Sequence, residues 1–265
     1  MVRKPSLFAA RNSLITRDID KEISFFDRFE LEHGDYDVLA EESYERILKA
    51  MFSGVQLRPG MTCVDLGCGT GAFTRRMRKL DLDLTGVDIS SRSIDRAKAI
   101  GGGPEYAVGD VCNCPLPSSS FDFVTMSGVL HHLTTQAARV QGLREALRLL
   151  KPGGRFLSYD PNAASPSMFL YRDPRSPLYS PIGKTENEVL LSRRQITSDL
   201  IAAGFSDVRA NGLSGIAYRY VEGRLARKLL PLYNHLYEPL IRWSTLQRIL
   251  GTFIVATARN PAARV

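Results

Sequence analysis

From residue 61 onward the chain alternates short apolar runs with amphipathic stretches. Met61–Leu66, Leu82–Ile89, Glu105–Gly109, Phe121–Met126 and Arg155–Tyr159 read as strands, each short and bounded by turn residues or charge. Between them Gly71–Leu80, Ser90–Ile100 and a stretch near Ala137–Leu150 read as helices. Ser90 or Ser91 suits the N-cap of the second. Lys151-Pro-Gly-Gly154 ends the third, because proline and glycine stop a helix. Strands alternating with helices imply right-handed crossovers and a mostly parallel sheet. In such sheets the ligand lies beyond the carboxyl ends of the strands, so the loops at that edge are where function is sought.

The flanks differ. Residues 1–20 carry little pattern, and Lys21–Phe52 reads as helical, with Leu39, Ile47, Leu48 and Met51 recurring at helical spacing before the turn at Arg58-Pro59-Gly60. After the fifth strand the rhythm breaks over residues 161–190, which hold Pro161, Pro166, Pro174, Pro177 and Pro181 and read as a long loop leaving from the ligand edge. Ser192–Ala203 is a helix ended by Gly204. Phe205–Val208 and Thr252–Ala258 are strands, and residues 213–250 between them look helical. The expected division is an N-terminal extension (1–36), an α/β domain (37–212 and 251–260) and a helical insertion (213–250) serving as lid or cap.

Composition narrows the class without choosing within it. The 265 residues are 44% hydrophobic and 24% charged, ordinary values for a folded domain. The net charge of +7 permits nucleic acid, anionic lipid or an acidic substrate, but there is no dense Lys/Arg run. Met1–Leu14 is too polar for a secretory segment, and no apolar run is long enough to span a bilayer. Cys63, Cys68, Cys112 and Cys114 do not form paired zinc-ligand spacings, so no metal is expected and the cytoplasm is the expected compartment.

The sharpest chemical signal is Val64-Asp-Leu-Gly-Cys-Gly-Thr-Gly71, which ends a strand and opens a helix. Gly67, Gly69 and Gly71 permit a tight turn and close approach of a ligand to the backbone around Cys68. A dinucleotide fingerprint spaces its last glycine three after the second, whereas Gly71 is two after Gly69. Asp65 would repel a pyrophosphate and suits a ligand carrying an ammonium group. Asp88, ending the second strand, can accept both hydroxyls of a ribose, with Ile89 against an adenine face. Asp110 can accept from the adenine amino group and Val111 can offer its backbone N–H.

Asp65-Leu-Gly-Cys-Gly-Thr-Gly71, Asp88, Gly109-Asp110, Phe121-Asp122 and Leu150-Lys-Pro-Gly-Gly154 stand in order and at spacings that resemble the class I S-adenosylmethionine-dependent methyltransferases, small-molecule branch. The resemblance covers roughly residues 40–210 and the final strand. It implies a Rossmann-like seven-stranded sheet with the last strand antiparallel, S-adenosylmethionine as cofactor and S-adenosylhomocysteine as product. An N-, O- or C-methylated metabolite, saccharide or lipid precursor is then the expected acceptor. A non-catalytic S-adenosylmethionine-binding regulator or scaffold and a nucleic-acid methyltransferase are the alternatives. The second lacks an Asn-Pro-Pro-Tyr after the fourth strand, and Cys114-Pro115 reverses the Pro-Cys order of cytosine-C5 enzymes.

The fourth strand leads into Ser127-Gly-Val-Leu-His-His-Leu133, where Ser127 borders the cofactor and His131 or His132 can take a proton from the acceptor. Transfer from a sulfonium is already activated, so positioning alone is the alternative. In the 161–190 loop Asn162, Tyr171, Arg172 and Tyr179 are candidate acceptor contacts. The insertion carries Leu232, Leu236, Leu240, Trp243, Leu246 and Leu250 at helical spacing, widened by Tyr233, Tyr237 and Ile241, with Pro239 starting or kinking a helix. Arg219, Arg224, Arg227, Lys228, Arg242 and Arg248 face only Glu222 and Glu238. Three readings fit: a packed helical pair, a lid or dimer surface, or docking on anionic lipid. The expectation is that the leucine stripe is mostly buried and the basic residues face solvent, in a monomer or homodimer.

Overall fold

A computed structural model describes residues 21, 23–28, 39–180, 188–219, 221, 223–242 and 245–261. Seven strands form one sheet: β1 (Thr62–Leu66), β2 (Asp83–Asp88), β3 (Glu105–Val108), β4 (Phe121–Ser127), β5 (Leu150–Pro161), β6 (Ser206–Leu213) and β7 (Phe253–Arg259). Their order is β3-β2-β1-β4-β5-β7-β6. The first five are parallel, and β7 runs antiparallel to both β5 and β6. This is the α/β, Rossmann-like architecture expected from the alternation.

The central strands are apolar because both faces are covered. Cys63, Phe123, Leu157 and Val255 point to one face, where α1 (Glu41–Met51) lays Tyr44, Ile47, Leu48 and Met51 across β5 and β7. Val64, Val124, Phe156 and Ala256 point to the other, against Leu143 and Ala146 of α4 (Gln136–Leu149) and Ile196 and Leu200 of α6 (Arg193–Ala203). Local chemistry sets the helix starts. Ser90 accepts the Ser93 N–H to cap α3 (Ser91–Ile100), Thr135 caps α4, and Ser192 with Gln195 forms a capping box for α6. The helix after the glycine turn is α2 (Ala72–Arg76), tightening to a 3₁₀ turn over Met77–Leu80.

Strand order reverses between β1 and β4, so the loops after these two strands flank a crevice at the carboxyl edge. Because β6 runs parallel to β5, its end and the start of β7 lie at that same edge. The insertion between them therefore hangs over the crevice side of the molecule.

Four expectations are corrected. Lys21–Phe52 is not one helix: residues 23–28 are helical, but Leu39 is extended and bridges to Tyr218. Residues 1–20, 22, 29–38 and 181–187, the last including Pro181 of the long loop, lie outside the described residues. That loop is not structureless, since α5 (Pro166–Arg172) forms within it, with proline at the helix start where its missing N–H costs nothing. The strand ending at the ligand edge reaches Pro161, and β6 is longer than expected.

The fourth correction concerns the insertion. It folds as α7 (Arg224–Leu232), a wider π turn (Tyr233–Tyr237), α8 (Glu238–Arg242) and α9 (Gln247–Leu250). The π turn ends two residues before Pro239, which has no N–H for the α-helical ladder. The side turned inward is the tyrosine side. Tyr233 packs its ring 5.3 Å from Tyr171 and 5.8 Å from Tyr218. Its hydroxyl donates to the buried Glu238 carboxylate at 2.5 Å, which also accepts the Gly215 and Ile216 amides and the Thr252 hydroxyl. The leucines face out: Leu232 is 54% exposed, Leu236 62% and Leu240 70%. Tyrosine wins the inner face because Glu238 satisfies its hydroxyl while its ring fills the core. Trp243 lies outside the described residues. No helix among the described residues is long and apolar enough to cross a membrane.

Candidate active site

The glycine turn closes over the end of β2 through its own amides. Gly67 and Cys68 donate to the Val87 carbonyl at 2.7 and 3.0 Å, and Gly71 donates to the Cys68 carbonyl. Gly71 sits at φ +80, and a Cβ there would lie 2.3 Å from the Tyr106 hydroxyl. Gly69 has φ +53 with no atom within 4 Å of a would-be Cβ, so its backbone faces open space. The Cys68 side chain packs with Ile94, Ala97 and Tyr106, which leaves only its backbone for a ligand.

Beneath the turn Asp65 is fully buried. Its carboxylate accepts from Thr125 at 2.8 Å, Ser127 at 3.2 Å and Thr74 at 2.8 Å. Burial pushes it up to about 6 against these three hydroxyls, and the nearby Asp88 adds repulsion. Ser127 is thus engaged with Asp65. Asp88 stands at the end of β2, accepting the Gly69 N–H at 2.7 Å and the Ser90 N–H at 2.9 Å. Burial raises its pKa, opposed by those amides. A carboxylate offers about four lone-pair sites, so these amides do not exhaust its capacity to accept from a ligand. Asp110 accepts the Cys112 N–H at 2.8 Å, which shapes the turn after β3 and sets Val111 beside it. Ile89, next to Asp88, is half-buried. The open approach at Gly69 together with two partly used carboxylates fits a nucleoside bearing a cationic tail.

Across the crevice, after β4, a 3₁₀ turn (Leu130–His132) carries the two histidines. His131 Nδ1 lies 2.9 Å from Asp160 Oδ1, and the same oxygen accepts the His131 backbone N–H at 3.1 Å. Asp160 is fully buried at the end of β5, and burial pushes it up to about 8. The His132 ring lies 4.1 Å from that of His131 and 5.4 Å, edge-on, from Phe26. Asp27 accepts from the Ser90 hydroxyl at 2.9 Å, so the N-terminal helical turn spans both sides of the crevice. Tyr159 packs against Phe73 and Phe253 close to Gly128. His131, His132 and Glu188 bring ligand-type atoms within 4.8 Å of one another, the grouping able to hold a metal among the described residues.

The expected acceptor contacts divide. Asn162 is buried and uses its whole amide: Nδ2 donates to the Ile249 and Gly251 carbonyls, and Oδ1 accepts the Ala164 N–H. It staples β5 to the base of the insertion and has nothing left to present. Tyr171 is buried among Tyr218 and Tyr233, so it is part of the wall. Arg172 and Tyr179 are half-buried on the same segment. Asp122 lies at the opposite end of β4 and binds Lys151 and Thr62, away from the crevice. Sequence reasoning missed Thr74, Thr125, Asp160 and Phe26. Of these only Asp160 carried a signal, as a carboxylate ending a strand at the ligand edge.

Residues 64–158 match the family model described as a methyltransferase domain. The chain is 29% identical over 199 residues to a demethylmenaquinone methyltransferase of Desulfitobacterium hafniense, covering 65% of this chain and 77% of that protein. It is 31% identical over 102 residues to a probable tRNA methyltransferase 9B of Homo sapiens, covering 38% of this chain and 22% of that protein. Among solved structures, a Thermotoga maritima protein described as an S-adenosylmethionine-dependent methyltransferase, possible histamine N-methyltransferase, superposes with a TM-score of 0.59 at 19% identity, covering 92% of this chain and 98% of that one.

Proposed function

We propose that this chain, a class I S-adenosylmethionine-dependent methyltransferase, methylates an O–H or N–H group of a small molecule in the cytoplasm. The observation that carries the reading is the buried His131–Asp160 pair at the ends of β4 and β5, facing the glycine turn across the crevice. S-adenosylmethionine supplies a methyl group already activated by its sulfonium. Asp88 would hold the ribose hydroxyls and Asp65 would favour the ammonium end. Asp160 holds the imidazole of His131 through Nδ1, and Nε2 would be the ring atom that receives the proton the acceptor loses. Phe26, Tyr159 and Phe73 make the surroundings apolar, which suits transfer away from water.

A tRNA acceptor is the second reading. The relative named for tRNA aligns over a fifth of its length, whereas the menaquinone-named relative aligns over three quarters, and this favours a small molecule. The test is release of S-adenosylhomocysteine against a panel of phenols, hydroxylated metabolites and amines, with a tRNA transcript alongside. Turnover with a panel member, lost in His131→Ala, is the expected result. Methyl incorporation into tRNA alone would overturn the reading.

A further inference from the structure

The insertion exposes what a folded domain ordinarily hides. Leu225, Leu232, Leu236 and Leu240 recur at spacings of seven, four and four along α7, the π turn and α8, and Leu246 and Ile249 of α9 extend the patch. Each is between 46% and 70% exposed. Scattered exposed leucines need no explanation, but a row on one helical face is a surface awaiting contact.

Charge selects the occupant. Arg224, Arg227, Lys228, Arg242 and Arg248 are exposed on the same elements. The one carboxylate of the described residues 223–250, Glu238, is buried and turned to the opposite side. Exposed aliphatic side chains with exposed cations on the same elements, and no exposed acid among the described residues 223–250, match a helix lying in the boundary of an anionic bilayer. Single-stranded nucleic acid would call for exposed aromatic side chains to stack on bases, whereas this row is leucine and isoleucine, and Tyr218, Tyr233 and Tyr237 are buried or half-buried. A second copy of the chain would set five cations against five cations. The anchoring beneath is firm, because Glu238 and the tyrosine cluster fix the helix to the sheet edge.

We propose that the outer face of residues 224–242 and 245–250 docks on anionic phospholipid, holding the crevice edge of the sheet toward the membrane surface. The proposal stands on this face alone and does not depend on which acceptor is methylated.

Co-sedimentation with phosphatidylcholine vesicles, with and without phosphatidylglycerol, tests it. The protein is expected to pellet with the anionic vesicles at low salt and to be released as salt rises. Leu236→Glu with Leu240→Glu should abolish binding, and Arg227→Gln with Lys228→Gln should weaken it about thirtyfold. All four positions are exposed, so melting temperature and S-adenosylhomocysteine affinity should be unchanged and report intact folding. Three results would overturn the proposal: no pelleting at low salt, leucine variants that pellet like the parent, or a dimer in light scattering that Leu236→Glu converts to monomer. A fluorescent RNA bound with loss in the charge variants but not in the leucine variants would also overturn it.

Discussion

Asp65→Asn should make the protein more stable and worse at binding its cofactor. The carboxylate is fully buried and accepts from the hydroxyls of Thr74, Thr125 and Ser127. Burial moves it from 3.8 to about 6, with the nearby Asp88 adding repulsion. Between these values the folded chain binds a proton that the unfolded chain has released, so this group's contribution to stability falls as pH rises through that window. About two pH units at 1.36 kcal/mol each amount to roughly 3 kcal/mol lost above pH 6. Asparagine removes the charge, and the three hydroxyls can turn to accept from its amide. Urea unfolding of parent and variant from pH 4 to pH 8 should therefore show little difference at the acid end and a variant advantage approaching roughly 3 kcal/mol at pH 8. Calorimetry at pH 8 should show S-adenosylmethionine affinity falling by on the order of ten- to a hundredfold, from one lost charged interaction. A difference independent of pH, or a variant less stable than the parent at pH 8, would refute the reasoning.

Other substitutions probe other parts of the site. If Asp88 accepts the two ribose hydroxyls as proposed, Asp88→Ala should weaken S-adenosylhomocysteine binding by roughly 3 kcal/mol, or about a hundredfold, in calorimetry. His131→Ala should lower turnover by roughly 10²–10⁴ with cofactor affinity kept, and His132→Ala should cost less; equal small effects in both would leave positioning as the mechanism. Asp199→Ala strands Arg139, whose guanidinium pairs with Asp199 at 2.6 Å in a buried contact between α4 and α6 and also holds the Leu133 and Thr134 carbonyls just after the histidines. Chemical denaturation should show a loss of roughly 3–5 kcal/mol, because one buried charge is left uncompensated.

What could be read from the sequence is what short stretches of chain decide. The β1 strand, its glycine turn and Asp88 at the end of β2 are local: a few residues set the pattern, and the mostly parallel sheet follows from the alternation. The cradle of Asp65 is not local. Thr74 follows it by 9 residues, Thr125 by 60 and Ser127 by 62, and single hydroxyls carry no periodicity to announce them. His131 was visible, but the partner that orients it comes from the next strand. Asn162 looked like a ligand contact because it sits at the right edge, and only its three bonds reveal a staple. The insertion fails for another reason. Helical spacing shows that two faces are apolar, but which one faces the core was decided by Glu238, buried where it can accept from Tyr233.

The central claim is that one crevice holds the cofactor on Asp88 and the acceptor beside His131. A crystal structure with S-adenosylhomocysteine tests it most directly. The account predicts both ribose hydroxyls on the Asp88 carboxylate, the homocysteine end over the glycine turn, and the sulfur facing the Ser127–His132 segment. A ribose held elsewhere, or a sulfur turned away from His131 and His132, would contradict it.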